Sequence, residues 1–219
     1  QSHSLYAAGQ AEKAAIPYMI HMPMGAGGDK KWDEKTGVID SGMSPETVTR
    51  LLRRAMASLP GALGMNNHRG SRETRDEDLM ETVMTELAST SLFFLDSRTS
   101  SASVAYNTAR AKGIPAAFCS IFLDHEPSEE FMEKQFQRGL DLAAKRGWVI
   151  MIAHTRQGTL DFLKKKCDFP PDKVTFVTLP ELMHILWDRS GISSRGCRSG
   201  RNVFKAGRRY RAVNEGDFS

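Results

Sequence analysis

Short apolar runs that alternate with amphipathic segments most constrain how this chain of 219 residues can fold. Each run is apolar at almost every position rather than at every second one, which is typical of strands covered on both faces. The six runs are PYMIHMP (17–23), GALGMNN (61–67), SLFFLDSR (91–98), AAFCSIFLD (116–124), WVIMIAH (148–154) and VTFVTL (174–179). Strands that alternate with helices indicate parallel βαβ units, so the pattern predicts an α/β fold.

The segments between the runs carry signals for helix starts. Ser44 and Ser128 each stand just before an amphipathic segment and are predicted N-caps. Thr74 and Glu77 form a capping-box pattern ahead of another helix. The Gly- and Lys-rich insert 25–42 interrupts the alternation and predicts a loop over one end of the sheet.

Charge and composition divide the chain into one domain, residues 1–187, and a basic tail, residues 188–219. The tail holds eight Lys or Arg against three acidic residues, a surplus larger than the net charge of +4 of the whole chain. Its Gly, Ser and Arg content predicts a disordered extension. The domain itself is slightly acidic, so no nucleic-acid partner is expected. No run of about 18 apolar residues occurs, and no membrane span is predicted.

Polar and ionisable residues close five consecutive apolar runs. In a parallel barrel the carboxyl ends of the strands share one face, and in an open sheet they line one crevice. The sequence therefore predicts that these side chains converge although they lie far apart in the chain. They are His21, Asn66, Asn67, His68, Asp96, Ser97, Arg98, Asp124, His125 and His154.

The chemistry of these residues favours hydrolysis. A neutral His68 can bind Zn²⁺ or a similar divalent ion, and His21 is a second candidate ligand, although a strand-end histidine more often forms a hydrogen bond within the fold. His154 can act as a general acid. Arg98 can orient a substrate carboxylate or keep Asp96 ionised, and the two can equally form a buried structural pair. No strand end carries an Asp-Asp pair that would supply a base next to His68.

Five blocks of the sequence together resemble the divergent polysaccharide deacetylases. They are IPYMIHMPM, LPGALGMNNHRGSRETRDEDLM, LFFLDSRTSSASVA, GIPAAFCSIFLDHE and IMIAHTRQGTL, in that order, and the resemblance covers roughly residues 5–187. It implies a distorted (β/α) barrel of about seven strands, of which six are visible here, related to metal-dependent carbohydrate esterases.

The resemblance also implies roles for particular residues. NNHRGS occupies the place of the motif whose histidine binds the metal, and IAH that of the catalytic histidine. The implied catalytic residues are His154, Asp124, Asp96 and Arg98; the implied substrate contacts are Asn66, Asn67, Ser71, Arg72 and Ser97; the implied metal ligands are His68 and His21. The implied cofactor is a divalent metal, Zn²⁺, and the implied partner is a polysaccharide or peptidoglycan-type glycan in the periplasm or outside the cell.

Two departures from the family pattern narrow these expectations. Arg72 stands where classical deacetylases carry a second histidine, four residues after the first. The family also begins with a strand that ends in an Asp-Asp pair and with a second strand, neither of which is found here. We expect a chain without them to fold poorly or to be inactive by itself.

Three functions remain open from the sequence. The first is a metal-dependent hydrolase that removes acetyl groups from a glycan. The second is a non-catalytic envelope protein of the same fold that binds a glycan or a protein. The third is a glycoside hydrolase that uses Asp96 and Asp124 as paired carboxylates, which requires a separation of about 5–10 Å.

Overall fold

A computed structural model describes residues 2–189, so the predicted tail lies outside the described residues except for its first two. The helices are α1 (Ser2–Lys13), α2 (Pro45–Ser58), α3 (Glu77–Ala88), α4 (Ala105–Ala111), α5 (Glu129–Arg146), α6 (Gln157–Asp168) and α7 (Leu179–Arg189). The strands are β1 (Met19–Met24), β2 (Gly64–Arg69), β3 (Phe93–Asp96), β4 (Ala116–Phe118), β5 (Ile121–Phe122) and β6 (Met151–Ile152). In the described part of the chain, no helix is long and apolar enough to cross a membrane.

The strands form two parallel sheets, which confirms the predicted α/β class. Strands β1, β2, β3 and β4 lie side by side in chain order, and β5 pairs with β6. Each pair of neighbouring strands in the larger sheet is joined by a segment containing a helix, as parallel connections require. This arrangement is consistent with a distorted barrel and brings the carboxyl ends of the strands to one side.

The fourth apolar run makes two strands instead of one. Cys119 and Ser120 separate β4 from β5, and their backbone N–H groups donate in different directions. The N–H of Cys119 donates to the carbonyl of Asp96 in β3 at 2.8 Å, whereas that of Ser120 donates to the carbonyl of Ile150 beside β6 at 3.0 Å. The chain therefore changes sheet within two residues.

The last apolar run, 174–179, is not a strand, and that prediction was wrong. Residues 174–178 form no regular structure, and α7 begins at Leu179. Phe176 and Val177 are 46% and 45% exposed, so this run lies on the surface instead of being covered on both faces. The number of strands in the described residues is six, as predicted, only because the fourth run divides.

Both serine caps predicted from the sequence are confirmed. The hydroxyl of Ser44 accepts from the N–H of Thr47, and that of Ser128 accepts from the N–H of Phe131. The capping box was wrong, because a short 3₁₀ turn precedes α3. Asp76 caps α3, and the hydroxyl of Thr74 donates instead to the carbonyl of Gly70.

The largest part of the core lies between the four-stranded sheet and helices α2 to α4. Its fully buried side chains include Leu52, Met65, Met84, Leu87 and Phe94. The insert 25–42 reaches this core through Ile39, which pairs with Met24 at the carboxyl end of β1 and is completely buried. The insert is therefore a loop packed over that end of the sheet, as predicted.

Gly64 in β2 provides a test of this packing, because it lies opposite Phe93 in β3 and a Cβ there would overlap the Phe93 ring. We expect Gly64→Ala to lower the free energy of unfolding by about 1–3 kcal/mol through overpacking. Gly9→Ala is the matched control: it lies within α1 with open space around it, and it should raise stability by about 0.5–1 kcal/mol.

Urea denaturation of both variants measures the two effects. Adding Phe93→Leu to Gly64→Ala should recover part of the loss, because the smaller side chain makes room. Equal stability of Gly64→Ala and the parent protein would contradict the strand register described here.

Candidate active site

A buried network of amide and hydroxyl groups joins the ends of β2 and β3. The side-chain amide of Asn66 donates to the hydroxyl of Ser97 at 3.0 Å, and this hydroxyl donates to the backbone carbonyl of Asn67 at 2.7 Å. The side-chain oxygen of Asn67 accepts from the N–H of Ser97 at 2.8 Å. All three side chains are buried and occupied in holding the strand ends together. Direct contact between them and a substrate stays a prediction.

His21 and His68 come together at the ends of β1 and β2. Their rings stack with centroids 4.5 Å apart and planes 21° apart. Nδ1 of His21 lies 2.9 Å from the side-chain oxygen of Asn66. Since this oxygen can only accept, Nδ1 carries the proton, and Nε2 of a neutral His21 is left as the acceptor. One of the two predicted metal ligands is thus tied to the buried network.

The environment of His68 keeps its imidazole neutral. Partial burial lowers its pKa, and the positive charges of His21, Arg69 and His154 lower it further. A neutral imidazole has a lone pair for a proton or a metal ion. The convergence of His154 with the two stacked imidazoles stays a prediction.

The clearest catalytic arrangement is the pair formed by His154 and Asp124. Nδ1 of His154 donates to Oδ1 of Asp124 at 2.9 Å, and the backbone N–H of His154 donates to Oδ2 at 3.0 Å. The Thr159 hydroxyl also donates to Oδ2, at 2.9 Å. The Asp124 side chain is 1% exposed and the His154 side chain 63% exposed, so a buried carboxylate holds an accessible imidazole.

The hydrogen bonds to Asp124 keep its carboxylate ionised. Burial alone would raise its pKa, but the hydrogen bonds from His154 and Thr159 and the charge of His154 together lower it. An ionised Asp124 fixes the tautomer of His154 and stabilises its protonated form. Among the described residues, Nε2 of His154 has no hydrogen-bond partner and is available for proton transfer.

Asp96, although predicted to be catalytic, is fully buried and organises its own loop. Its carboxylate accepts from the N–H of Arg98, the hydroxyl of Ser103 and the N–H of Tyr106. The guanidinium of Arg98 makes no ion pair with it and lies over the ring of Phe118, 4.0 Å from its centroid. The buried Asp96–Arg98 pair considered from the sequence is therefore absent from the described residues.

Ser71 and Arg72 attach the insert 25–42 to the end of β2. The N–H of Gly27 donates to the Ser71 hydroxyl at 3.2 Å, and Arg72 forms ion pairs with Asp40 at 2.7 Å and Glu73 at 2.6 Å. The guanidinium thus joins two buried carboxylates, one from the insert and one from its own loop. Contact of Ser71 or Arg72 with a substrate stays a prediction.

Three residues of this region were missed by sequence reasoning: Thr159, Asp40 and Glu73. None of them lies at the end of an apolar run. Thr159 and Asp40 contact partners more than 30 residues away in the chain, Asp124 and Arg72, whereas Glu73 contacts its neighbour Arg72. Only the position of Thr159 had a sequence signal. Thr159 lies in the first turn of α6, and this helix starts shortly after the IAH block that contains His154.

The described residues offer a divalent metal a partial site. They contain no group of three or more His, Cys, Asp or Glu side chains placed to hold an ion. His21 as a second ligand stays a prediction. His68 fits as a single neutral ligand, and a complete coordination shell needs further donors.

The protein is thus of the α/β class with parallel strands, and two imidazoles and the Asp124–His154 pair lie at the ends of its strands. Residues 1–183 match the family described as divergent polysaccharide deacetylase, and the chain belongs to that family. The match confirms the resemblance recognised in the sequence blocks.

Two relatives have similar sequences over most of this chain. The uncharacterized protein YibQ of Escherichia coli K12 is 31% identical over 183 residues, which are 83% of this chain and 56% of that protein. An uncharacterized protein of Haemophilus influenzae is 34% identical over 173 residues, 79% of this chain and 61% of that protein. The chain thus spans little more than half the length of these relatives.

A solved structure shares the fold. The crystal structure of the uncharacterized protein ATU2773 from Agrobacterium tumefaciens C58 superimposes with a TM-score of 0.67 and 22% sequence identity. The alignment covers 71% of this chain and 63% of that one. This similarity supports the architecture.

The attachment of the insert by Arg72 can be tested with Arg72→Met. We expect the free energy of unfolding to fall by about 3 kcal/mol, because Asp40 and Glu73 lose their cation. This value is at the low end of the range for a broken buried ion pair, since the Arg72 side chain is 35% exposed. Urea denaturation at pH 7 measures this effect.

Arg50→Met is the matched control, since it breaks the exposed ion pair with Glu34 and should change stability by less than about 1 kcal/mol. A loss of stability in Arg72→Met no larger than that in Arg50→Met would contradict the role of Arg72 as the partner of two buried carboxylates.

Proposed function

We propose that the chain forms the catalytic face of a hydrolase that removes acetyl groups from a glycan. The single observation that carries this proposal is the accessible His154 held by the buried, ionised Asp124. Family membership suggests the glycan, and a peptidoglycan-type glycan in the periplasm or outside the cell is the expected setting.

In this proposal His154 serves as the general acid. Water adds to the acetyl carbon, and the resulting tetrahedral intermediate expels the sugar nitrogen or oxygen, which takes a proton from Nε2 of His154. Asp124 stabilises the imidazolium before this transfer and keeps Nε2 directed away from the carboxylate. The base that receives the proton of the attacking water is, by family resemblance, one of an Asp pair that no strand end of this chain carries.

We further propose that His68 is one ligand of a divalent metal ion, with Zn²⁺ as the expected ion. The chemistry such an ion supplies is polarisation of the acetyl carbonyl and a lower pKa for bound water. The neutral state of His68 supports this assignment, because metal binding requires an unprotonated imidazole. His21 contributes by packing against His68 and limiting its orientation.

Acetate release from N- and O-acetylated polysaccharides by the full-length protein, with the Asp pair that the family resemblance implies, tests the role of His154. We expect His154→Ala to lose about 10²- to 10⁴-fold in rate, and Asp124→Asn to lose a similar amount because the tautomer is no longer fixed. His3→Ala, an exposed histidine in α1, is the matched control and should leave the rate unchanged. Full activity in His154→Ala would exclude it as the general acid.

Metal analysis of the purified protein tests the role of His68 without relying on activity. We expect about one divalent ion per chain, lost in His68→Ala and retained in His3→Ala. A stoichiometric ion that stays bound in His68→Ala would refute the assignment of this ligand.

A second candidate function is binding of a glycan by a non-catalytic protein of the same fold. It is favoured by Arg72, which occupies the position of the family's second histidine and is engaged in ion pairs with Asp40 and Glu73. Metal-free protein that retains glycan without releasing acetate, as measured by calorimetry, would support this function over hydrolysis.

The glycoside hydrolase alternative has weaker support. Asp96 is fully buried and Asp124 is 1% exposed, and each carboxylate accepts several hydrogen bonds from its own surroundings. Both carboxylates act as acceptors in these hydrogen bonds, whereas a glycosidase needs one carboxylic acid that donates a proton.

A further inference from the structure

Two arginines lie against one aromatic ring next to the gap between the two sheets. The guanidinium carbon of Arg98 is 4.0 Å from the centroid of Phe118, and that of Arg146 is 5.2 Å from the same centroid. Arg146 also lies over Trp148, at 4.0 Å. Since β4 ends at Phe118, the cluster flanks the point where the chain leaves the four-stranded sheet.

Within the described residues, neither of the two arginines forms an ion pair with a carboxylate. Nε of Arg146 donates to the carbonyl of Trp148 at 2.6 Å, and one of its terminal nitrogens donates to the Ser120 hydroxyl at 2.5 Å. The guanidinium of Arg98 forms no hydrogen bond within the described residues, and its Nε is buried without a partner. By contrast, Arg50, Arg53, Arg69 and Arg72 are each paired with a carboxylate.

This arrangement is costly without a counterion. Burial lowers the pKa of Arg146, and the positive charge of Arg98 lowers it further. A buried N–H donor without an acceptor costs roughly 1–3 kcal/mol, and contact with aromatic rings offsets only part of this cost. Two neighbouring guanidinium groups with free donors match the geometry of an oxyanion.

The cluster is also accessible. Arg98, Phe118, Ser120, Arg146 and Trp148 are all half-buried, so a small ligand can reach them from solvent. Arg98 is held in the left-handed region, with φ of 47°, by the bond from its N–H to Asp96. Its backbone is therefore positioned before any ligand binds.

We propose that Arg98 and Arg146 form an oxyanion-binding site, in which the free guanidinium donors of both residues bind a carboxylate or phosphate group. Within the described residues, Arg98 and Arg146 form no hydrogen bond or ion pair with His154 or Asp124, and the inference does not rest on the proposed hydrolysis. The bound oxyanion can come from two sources, the carboxylate of an acidic sugar or a phosphate group. Binding measurements with each of them distinguish the two.

Thermal unfolding and calorimetry with two probes test the proposal, using sodium glucuronate and inorganic phosphate against sodium chloride at equal ionic strength. We expect one of the probes to raise Tm and to bind with measurable heat, and the tighter probe identifies the source. Arg98→Met should weaken binding at least about 10-fold, since a charge-assisted pair is lost. Arg98→Lys should also weaken it, because an ammonium cannot donate in a fork.

Arg53→Met is the matched control: it removes an exposed arginine that is paired with Glu86, and it should leave anion binding unchanged. Phenylglyoxal labelling of the parent protein, read by mass spectrometry, gives a result even where a variant does not fold. The bound anion should protect Arg98 and Arg146 while Arg53 reacts as before. Equal effects of all three salts, or no selective protection of Arg98 and Arg146, would overturn the proposal.

Discussion

The hydrogen bonds among Asn66, Asn67 and Ser97 are the interaction on which the strand-end face depends. They connect two neighbouring strands beyond the last paired residues, where backbone hydrogen bonding alone would leave both ends free to separate. Each donor and acceptor is buried, so breaking one bond leaves an unsatisfied polar group in the core. The network extends to His21 and thereby determines how His21 stacks on His68.

The sequence predicted the framework well because its signals are local. Apolar runs specify buried strands wherever both faces are covered, which holds for β3 and the first four residues of β2. In β1 only every second residue is buried, so the prediction of two covered faces was wrong for this strand. Ser44 and Ser128 cap their helices through contacts three residues away. The run at 174–178 has the same composition but lies at the surface, and composition does not reveal which runs have covering layers.

The site could be predicted less completely than the fold. Convergence of the strand ends follows from topology, so the approach of His21 and His68 was accessible to sequence reasoning. The sequence could not predict which polar side chains have no partner. Arg72, for example, forms one of its ion pairs with Asp40 in the insert 25–42. The path of that insert has no periodic pattern, and pairing across about 30 residues leaves no mark on spacing. The same reason explains why Arg98 was expected beside Asp96 and lies over Phe118.

The two strand-end aspartates are both buried but have different hydrogen-bond donors. Both are acceptors of several hydrogen bonds, yet only Asp124 has an imidazole among its donors, and that imidazole reaches solvent. Asp96 directs all its bonds to its own loop and to the start of α4. Similar burial thus produces a structural carboxylate in one case and an electrostatic partner for proton transfer in the other.

The change of sheet at Cys119 and Ser120 has a mechanical consequence. The imidazole pair sits on the four-stranded sheet, whereas the ends of β5 and β6 carry the Asp124–His154 pair. Two successive peptide N–H groups, one bound to β3 and the next to the residue before β6, are the direct backbone link between these halves at that point. A rotation about this dipeptide would alter the separation of the two halves of the site, so the two hydrogen bonds that hold the dipeptide also help to fix the alignment of these halves.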